Sequence, residues 1–329
     1  MDPEFQVGLQ IYEIIWIRCK FISFLLGTVI GTGNRRGNRE GLGELFVYLL
    51  IQTKIEAVMS IKSMPVWKWV ALLVVSVFLS LVMYGLAQTV VFSILEEWVS
   101  VVVSILLSGA MLGLYALFVR WFEKASPRDL PLRRLAPDTG KGLGVGAGYF
   151  VVLVAVMFAA GLDKVASVGT EEPFALVASF FMFLVVAVGE EIIFRGVIFR
   201  WIDEKWGFPI ALGVSSALFG LVHIAQPEAT WWSSLAIAVE AGLLLGAAYK
   251  YAGTLWLPVG IHWAWNFTQG NIFGFAVSGA EAGPSLIRSS VEGPVILTGG
   301  AFGAEASLLA LLLGLLLSVW FIVKIYKRA

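Results

Sequence analysis

The stretch 188-VGEEIIFRG-196 decides how this chain is read. It sets Glu190, Glu191 and Arg195 inside a run, Pro173 to Arg200, that is otherwise apolar enough to span a bilayer. Charge is costly in hydrocarbon, so ionisable groups within spans usually face protein or water and mark a functional path. Glu191 and Arg195 stand at i and i+4, on one helix face, whereas Glu190 is turned about 100° away. Glu191 and Arg195 are therefore expected to offset each other's burial, leaving Glu190 for another partner.

The composition supports the membrane reading. Of 329 residues, 59% are hydrophobic and 14% charged, thirteen are tryptophan, and the mean hydropathy is +0.86. A soluble chain is nearer half apolar and about one quarter charged. An all-α polytopic membrane protein is predicted. Net charge is zero and no basic cluster is interleaved with aromatics, so the electrostatic footprint of a nucleic-acid binder is absent. Partners are expected in or at the bilayer. The single cysteine, Cys19, permits neither an intrachain disulfide nor a Cys-rich metal site.

A helix needs about 20 mainly apolar residues to cross the hydrocarbon core. Eight such spans are predicted: Trp69 to Phe92, Trp98 to Trp121, Leu143 to Leu162, Pro173 to Arg200, Pro209 to Ala225, Ser233 to Tyr249, Leu255 to Phe275 and Ala306 to Val323. From Lys62 onward, nearly every Lys and Arg then falls on or near one side, with only Lys164 and Arg288 on the other. By the positive-inside rule both ends of the bundle are expected to be cytoplasmic. The charged, Pro-containing segment from Glu123 to Gly142 reads as a cytoplasmic linker between a first hairpin and the remaining bundle. Residues 59–329 are expected to form one membrane domain, with its core motifs in 173–274. Residues 1–58, which begin with the vector-like MDPEF, read as a vector-derived or poorly ordered leader.

The chain has two histidines, His223 in FGLVHIA and His262 in GIHWAWN, and both lie within predicted spans. Glu190 and His223 are equally far from the turn signal around Trp206 and Gly207. If two antiparallel helices meet there, the two side chains share one height, about 25 Å from the turn at about 1.5 Å per residue. His262 and Asn266 stand at i and i+4 and can present donors to one point. Pro258, four residues before His262, is expected to kink that helix. Glu240 is a further polar residue within a span, with no partner evident from the sequence.

A carboxylate opposite an imidazole, with two donors one helix away, contains the parts of a hydrolase. Glu190 would act as general base on a water held between it and His223, and His262 and Asn266 would bind the developing oxyanion. No G-x-S-x-G nucleophile motif is present, and no cofactor is required. Two alternatives stand beside this. Glu190, His223 and His262 could form a His2Glu zinc set with water as fourth ligand, although H-E-x-x-H is missing. Buried Glu and His could instead relay protons in a transporter, which would predict related halves or paired broken helices, and neither is seen. A non-enzymatic immunity protein is the remaining alternative.

Together, EEIIFRG, FGLVH and HWAWN, in that order on neighbouring spans, resemble the E-E-x-x-x-R, F-x-x-x-H and H-x-x-x-N motifs of the CAAX protease and bacteriocin-processing family. These are intramembrane glutamate proteases that include the type II CAAX prenyl endopeptidases. GLLLGAAYKYAGTLWLPVGIHWAWN also resembles the family's approach to its last motif. The resemblance covers about residues 173–274. It implies that Glu190 and His223 activate water, that His262 and Asn266 stabilise the oxyanion, that Glu191 and Arg195 support the site, and that Phe219 lines it. It implies eight helices and a peptide or protein substrate. A lipidated or hydrophobic peptide reached through the bilayer is the expected substrate. Glu240 departs from the pattern, standing where an apolar residue is usual.

Overall fold

The computed structural model describes residues 61, 64–94, 96–123, 125–170, 172–281 and 283–328. The expected leader over residues 1–58 lies outside them. Helices α1 (Val66–Phe92) and α2 (Glu97–Trp121) form a first hairpin. A 3-10 turn at Leu132–Arg134 leads into α3 (Leu135–Ala159), followed by strand β1 (Asp163–Val168). Next, α4 (Pro173–Glu191) runs through a π-helical segment, Ile192–Phe199, into α5 (Arg200–Trp206). Beyond it come α6 (Phe208–Val222), α7 (Trp231–Ile237), a π segment at Ala238–Gly242, and α8 (Leu243–Ala252). The rest comprises α9 (Trp256–Phe267) with a π segment at Thr268–Ile272, strand β2 (Ile287–Val291), the short α10 (Val295–Thr298) and α11 (Leu308–Tyr326).

Among the described residues, seven helical segments are long and apolar enough to cross a membrane: Val66–Phe92, Glu97–Trp121, Leu132–Ala159, Pro173–Trp206, Phe208–Ala225, Trp231–Ala252 and Leu308–Tyr326. The outer ones carry bare apolar side chains, such as Phe78 at 62% exposure, Leu106 at 66% and Leu316 at 68%. Water would not tolerate so much exposed apolar surface, and lipid does. The chain is an integral, multi-pass, all-α membrane protein.

The eighth expected span, Leu255 to Phe275, differs. Its α-helical part is 12 residues long, with a five-residue π segment after it. All of α9 from Trp256 to Asn266 is buried, because it runs through the middle of the bundle and packs most extensively on α3. A helix sheathed by other helices need not match the bilayer's thickness or exclude polar side chains. Pro258 also behaves otherwise than expected: it sits in the first turn of α9, where a backbone N–H has no intrahelical acceptor, so no kink follows from it.

The third span begins at Leu132 rather than Leu143, and along it α3 approaches α9 closely. Gly142 and Gly146, one helical turn apart, lie directly on the backbone of α9. A Cβ on Gly142 would come within 2.4 Å of the Leu257 carbonyl oxygen, and one on Gly146 within 2.2 Å of that of Ile261. Small residues at this spacing allow helix backbones to touch. Gly146→Val is expected to destabilise the fold by about 1–3 kcal/mol through overpacking, whereas Gly144→Ala, facing open space, is expected to be neutral. Thermal melts of the detergent-solubilised variants check this, and equal melting temperatures would refute the role of the contact.

The expected linker from Glu123 to Gly142 is also part of the fold. Tyr115 donates to Asp129 Oδ2 at 2.6 Å, the Leu255 N–H donates to the Asp129 carbonyl at 2.9 Å, and Thr254 donates to Asp138 at 2.8 Å. Arg134 pairs with Asp138 at 2.9 Å, and Arg200 with Glu123 at 2.6 Å. Glu123, Asp129, Arg134 and Asp138 thus help to hold the ends of α2, α5 and α8. On the other side, β1 and β2 form a two-stranded antiparallel ribbon with Asp163 opposite Val291 and a bulge between Val165 and Ser167. The all-α prediction did not include this ribbon.

Candidate active site

Three interruptions of regular helix position the polar residues. Glu190 and Glu191 end α4, and the π segment that follows carries Arg195. Gly207, at φ 88°, makes the turn into α6 with a conformation that favours glycine. After that turn, α6 returns and ends in a 3-10 turn that begins with His223. His262 and Asn266 lie one turn apart on α9. The elements enclose a cavity of about 520 Å³ whose wall includes Glu190, His223, His262 and Asn266.

The Glu190 carboxylate accepts a hydrogen bond from Tyr84 on α1, with Oη 3.0 Å from Oε1. Its other oxygen, Oε2, has no hydrogen-bond partner among the described residues and lies 3.9 Å from His262 Nε2, too far for a hydrogen bond. His223 and Glu190 share the cavity but are not bonded to each other. His223 Nδ1 is 2.6 Å from the Phe219 carbonyl oxygen, which only accepts, so Nδ1 bears the proton. In the neutral ring Nε2 is then a free acceptor.

Glu191 and Arg195 are both 0% exposed and meet at 2.7 Å. Glu191 Oε1 also lies 3.0 Å from His262 Nδ1, a contact the sequence did not suggest. Arg195 reaches the Ala241 and Gly242 carbonyls at 3.4 and 3.3 Å, where the π segment after α7 widens the turn. Its guanidinium also lies 4.6 Å from the centre of the Phe219 ring. That ring stands 4.8 Å from the His223 ring and 6.1 Å from His262. Phe219, expected to line the site, is 2% exposed and stands wedged between Arg195 and the two imidazoles.

Glu240 lies away from the cavity. It is 0% exposed, and its Oε2 is 2.9 Å from Tyr149 Oη, which is also 2.7 Å from the Ala310 carbonyl. A second buried carboxylate, Glu305, went unnoticed in the sequence. It accepts from Trp265 Nε1 at 3.0 Å and from Ser278 Oγ at 3.2 Å, and so ties down a loop that closes one side of the cavity. Burial pushes the Glu305 carboxyl above the usual range, against the hydrogen bonds from Trp265 and Ser278. Tyr84 and Gln88 also went unnoticed, although a polar pair at i and i+4 in an apolar span was a signal to find them.

For zinc, the donor set is a poor fit. Among the described residues no three His, Cys, Asp or Glu side chains converge closely enough to hold a metal ion.

A bundle of membrane spans enclosing carboxylates, imidazoles and an amide in one cavity defines an integral membrane protein with a polar site inside it. Residues 172–268, which contain all three motifs, match the family model described as Type II CAAX prenyl endopeptidase Rce1-like. Over this segment the chain is similar to that family, and the match supports, in general terms, a CAAX-type intramembrane endopeptidase acting on a peptide or protein substrate in a lipid environment. Comparison with curated proteins and with solved structures gives no match.

Proposed function

We propose that the cavity hydrolyses a peptide bond by the glutamate-type mechanism, with a water activated between Glu190 and His223. The observation that supports this reading is that Glu190 and His223 line one cavity, and that when Tyr84 and the Phe219 carbonyl engage one atom of each, the buried Glu190 Oε2 and, in the neutral ring, His223 Nε2 are left as acceptors without a partner among the described residues. Two acceptors can hold both hydrogens of one water and turn its lone pair toward a carbonyl carbon. As the water oxygen bonds to that carbon, the Glu190 carboxylate takes one proton. It then delivers the proton to the leaving nitrogen as the C–N bond breaks.

Asn266 and His262 serve the oxyanion. With Nδ1–H directed at Glu191, His262 donates from Nε2 only as the imidazolium. That positive charge brings the group of Glu190, Glu191, Arg195 and His262 to zero net charge, which suits a site enclosed by apolar helices. The cavity wall also contains Leu81, Phe92, Met182, Phe183 and Val222. These favour a substrate with an apolar group beside the scissile bond, such as a prenylated C-terminal peptide. Both termini of the bundle are read as cytoplasmic.

The test is cleavage of matched prenylated and unprenylated peptides by the purified protein in liposomes. Prenylated peptides are expected to be cut at least about 10-fold better, since burying even a few methylenes is worth more than 1.4 kcal/mol, and cutting is expected to survive exhaustive chelation. Loss on chelation with recovery on adding zinc would establish the metal mechanism instead. Ion flux with no cleavage of any peptide would favour a transporter.

A further inference from the structure

The carboxylate proposed as base is held from outside the segment that matches the family. Tyr84 and Gln88 lie one turn apart on α1, before residues 172–268 begin. Gln88 Nε2 lies 2.6 Å from Tyr84 Oη, and Tyr84 Oη lies 3.0 Å from Glu190 Oε1. A phenol has a single proton. Because the Gln88 amide donates to Tyr84 Oη, that proton is directed at Glu190; turning the amide around would set two acceptors against one proton. The backbone of α4 makes room for this arrangement, since a Cβ on Gly189 would fall 2.2 Å from Tyr84 Cδ2.

We infer that Tyr84, locked by Gln88, is a positioning residue that anchors Glu190 through Oε1 and so fixes how its carboxylate is presented to the site. This rests on the reading of Glu190 as the base. The other charged or titratable groups around that carboxylate are Glu191, Arg195, His262 and His223, and none of them makes a hydrogen bond to Oε1. Without the clamp, the carboxylate is free to rotate and present either oxygen, and much of its time is spent misaligned. With it, the carboxylate keeps one orientation, and the proton it takes from water is held where the leaving nitrogen can receive it. Tyr84 keeps its own proton throughout. Gln88 cannot relay one, because its amide neither gains nor loses a proton in the working range, so the pair is a clamp rather than a wire.

The test uses the full chain in liposomes with whichever prenylated peptide the unmodified protein cuts. Tyr84→Phe is expected to lower kcat by about 10- to 100-fold, the cost of a slightly misplaced group, with KM changed by less than about 2-fold and an unchanged melting temperature. Gln88→Leu is expected to give a smaller fall in kcat, and the double variant to match Tyr84→Phe alone, because Gln88 acts only through Tyr84. On a Glu190→Gln background, Tyr84→Phe is expected to do nothing further to residual cleavage. A Tyr84→Phe variant with unaltered kcat, or one that changes KM only, would overturn the inference. So would independent, additive losses from the Tyr84 and Gln88 changes. Should Glu190→Gln itself stay active, the base assignment fails first; should it be dead while Tyr84→Phe keeps its kcat, only the clamp fails.

Discussion

Glu190→Gln is expected to reduce kcat by about 10²- to 10⁴-fold, the range for loss of a positioned general base, while the protein stays folded. Gln keeps the shape of the side chain and an oxygen to accept from Tyr84, which lies 3.0 Å from Oε1. What is removed is the free acceptor Oε2, which has no hydrogen-bond partner among the described residues. A buried carboxylate replaced by a neutral amide of equal size sheds a desolvation cost, so the melting temperature is expected to hold or rise. His223→Ala is expected to act in the same direction, because it removes the second acceptor at the cavity. Steady-state cleavage measured beside a thermal melt separates chemistry from folding. An active Glu190→Gln variant would end the mechanism.

The second large effect concerns stability. Arg195→Met is expected to destabilise the protein by about 3–5 kcal/mol, the usual cost of leaving one member of a buried ion pair without its partner. Both Glu191 and Arg195 are 0% exposed, at a separation of 2.7 Å. Arg195 also fills the space between Phe219 and the carbonyls of Ala241 and Gly242. Removing both charges, as Glu191→Leu with Arg195→Met, is expected to recover most of the lost stability, since no unpaired charge then remains. Activity is not expected to return with it. Glu191 orients His262 through Nδ1 at 3.0 Å, and without that bond the ring's orientation and protonation are no longer set. Chemical unfolding of the single and double variants, with cleavage assayed alongside, tests both halves; a double variant as active as the unmodified protein would show that the ion pair is structural only.

The Glu191 contact also shows where reading by sequence stops. Spacing at i and i+4 correctly pairs Glu191 with Arg195, because that pairing is made within one helix. Its second partner, His262, is 71 residues away, and no periodicity reports on it. Tyr84 is farther still from Glu190, at 106 residues. The Glu123 to Gly142 segment was misjudged for the same reason: its charges look like a solvated linker until Asp129 and Asp138 are seen bonded to the ends of neighbouring helices. That the eighth expected span is surrounded by protein was not legible either, because apolar residues in a row do not say what surrounds them.

By itself the sequence determined the all-α membrane class, most of the span boundaries and four of the polar side chains on the cavity wall, Glu190, His223, His262 and Asn266. Hydropathy and helical period are local, and a bilayer admits few architectures. Only the tertiary structure decided that α9 is sheathed by other helices, that Phe219 stands wedged between Arg195 and the two imidazoles, and which lone pairs of Glu190 and His223 are left free. Those outcomes depend on how closely helices distant in sequence approach one another. Here that is set by glycines whose missing side chains let backbones and rings touch.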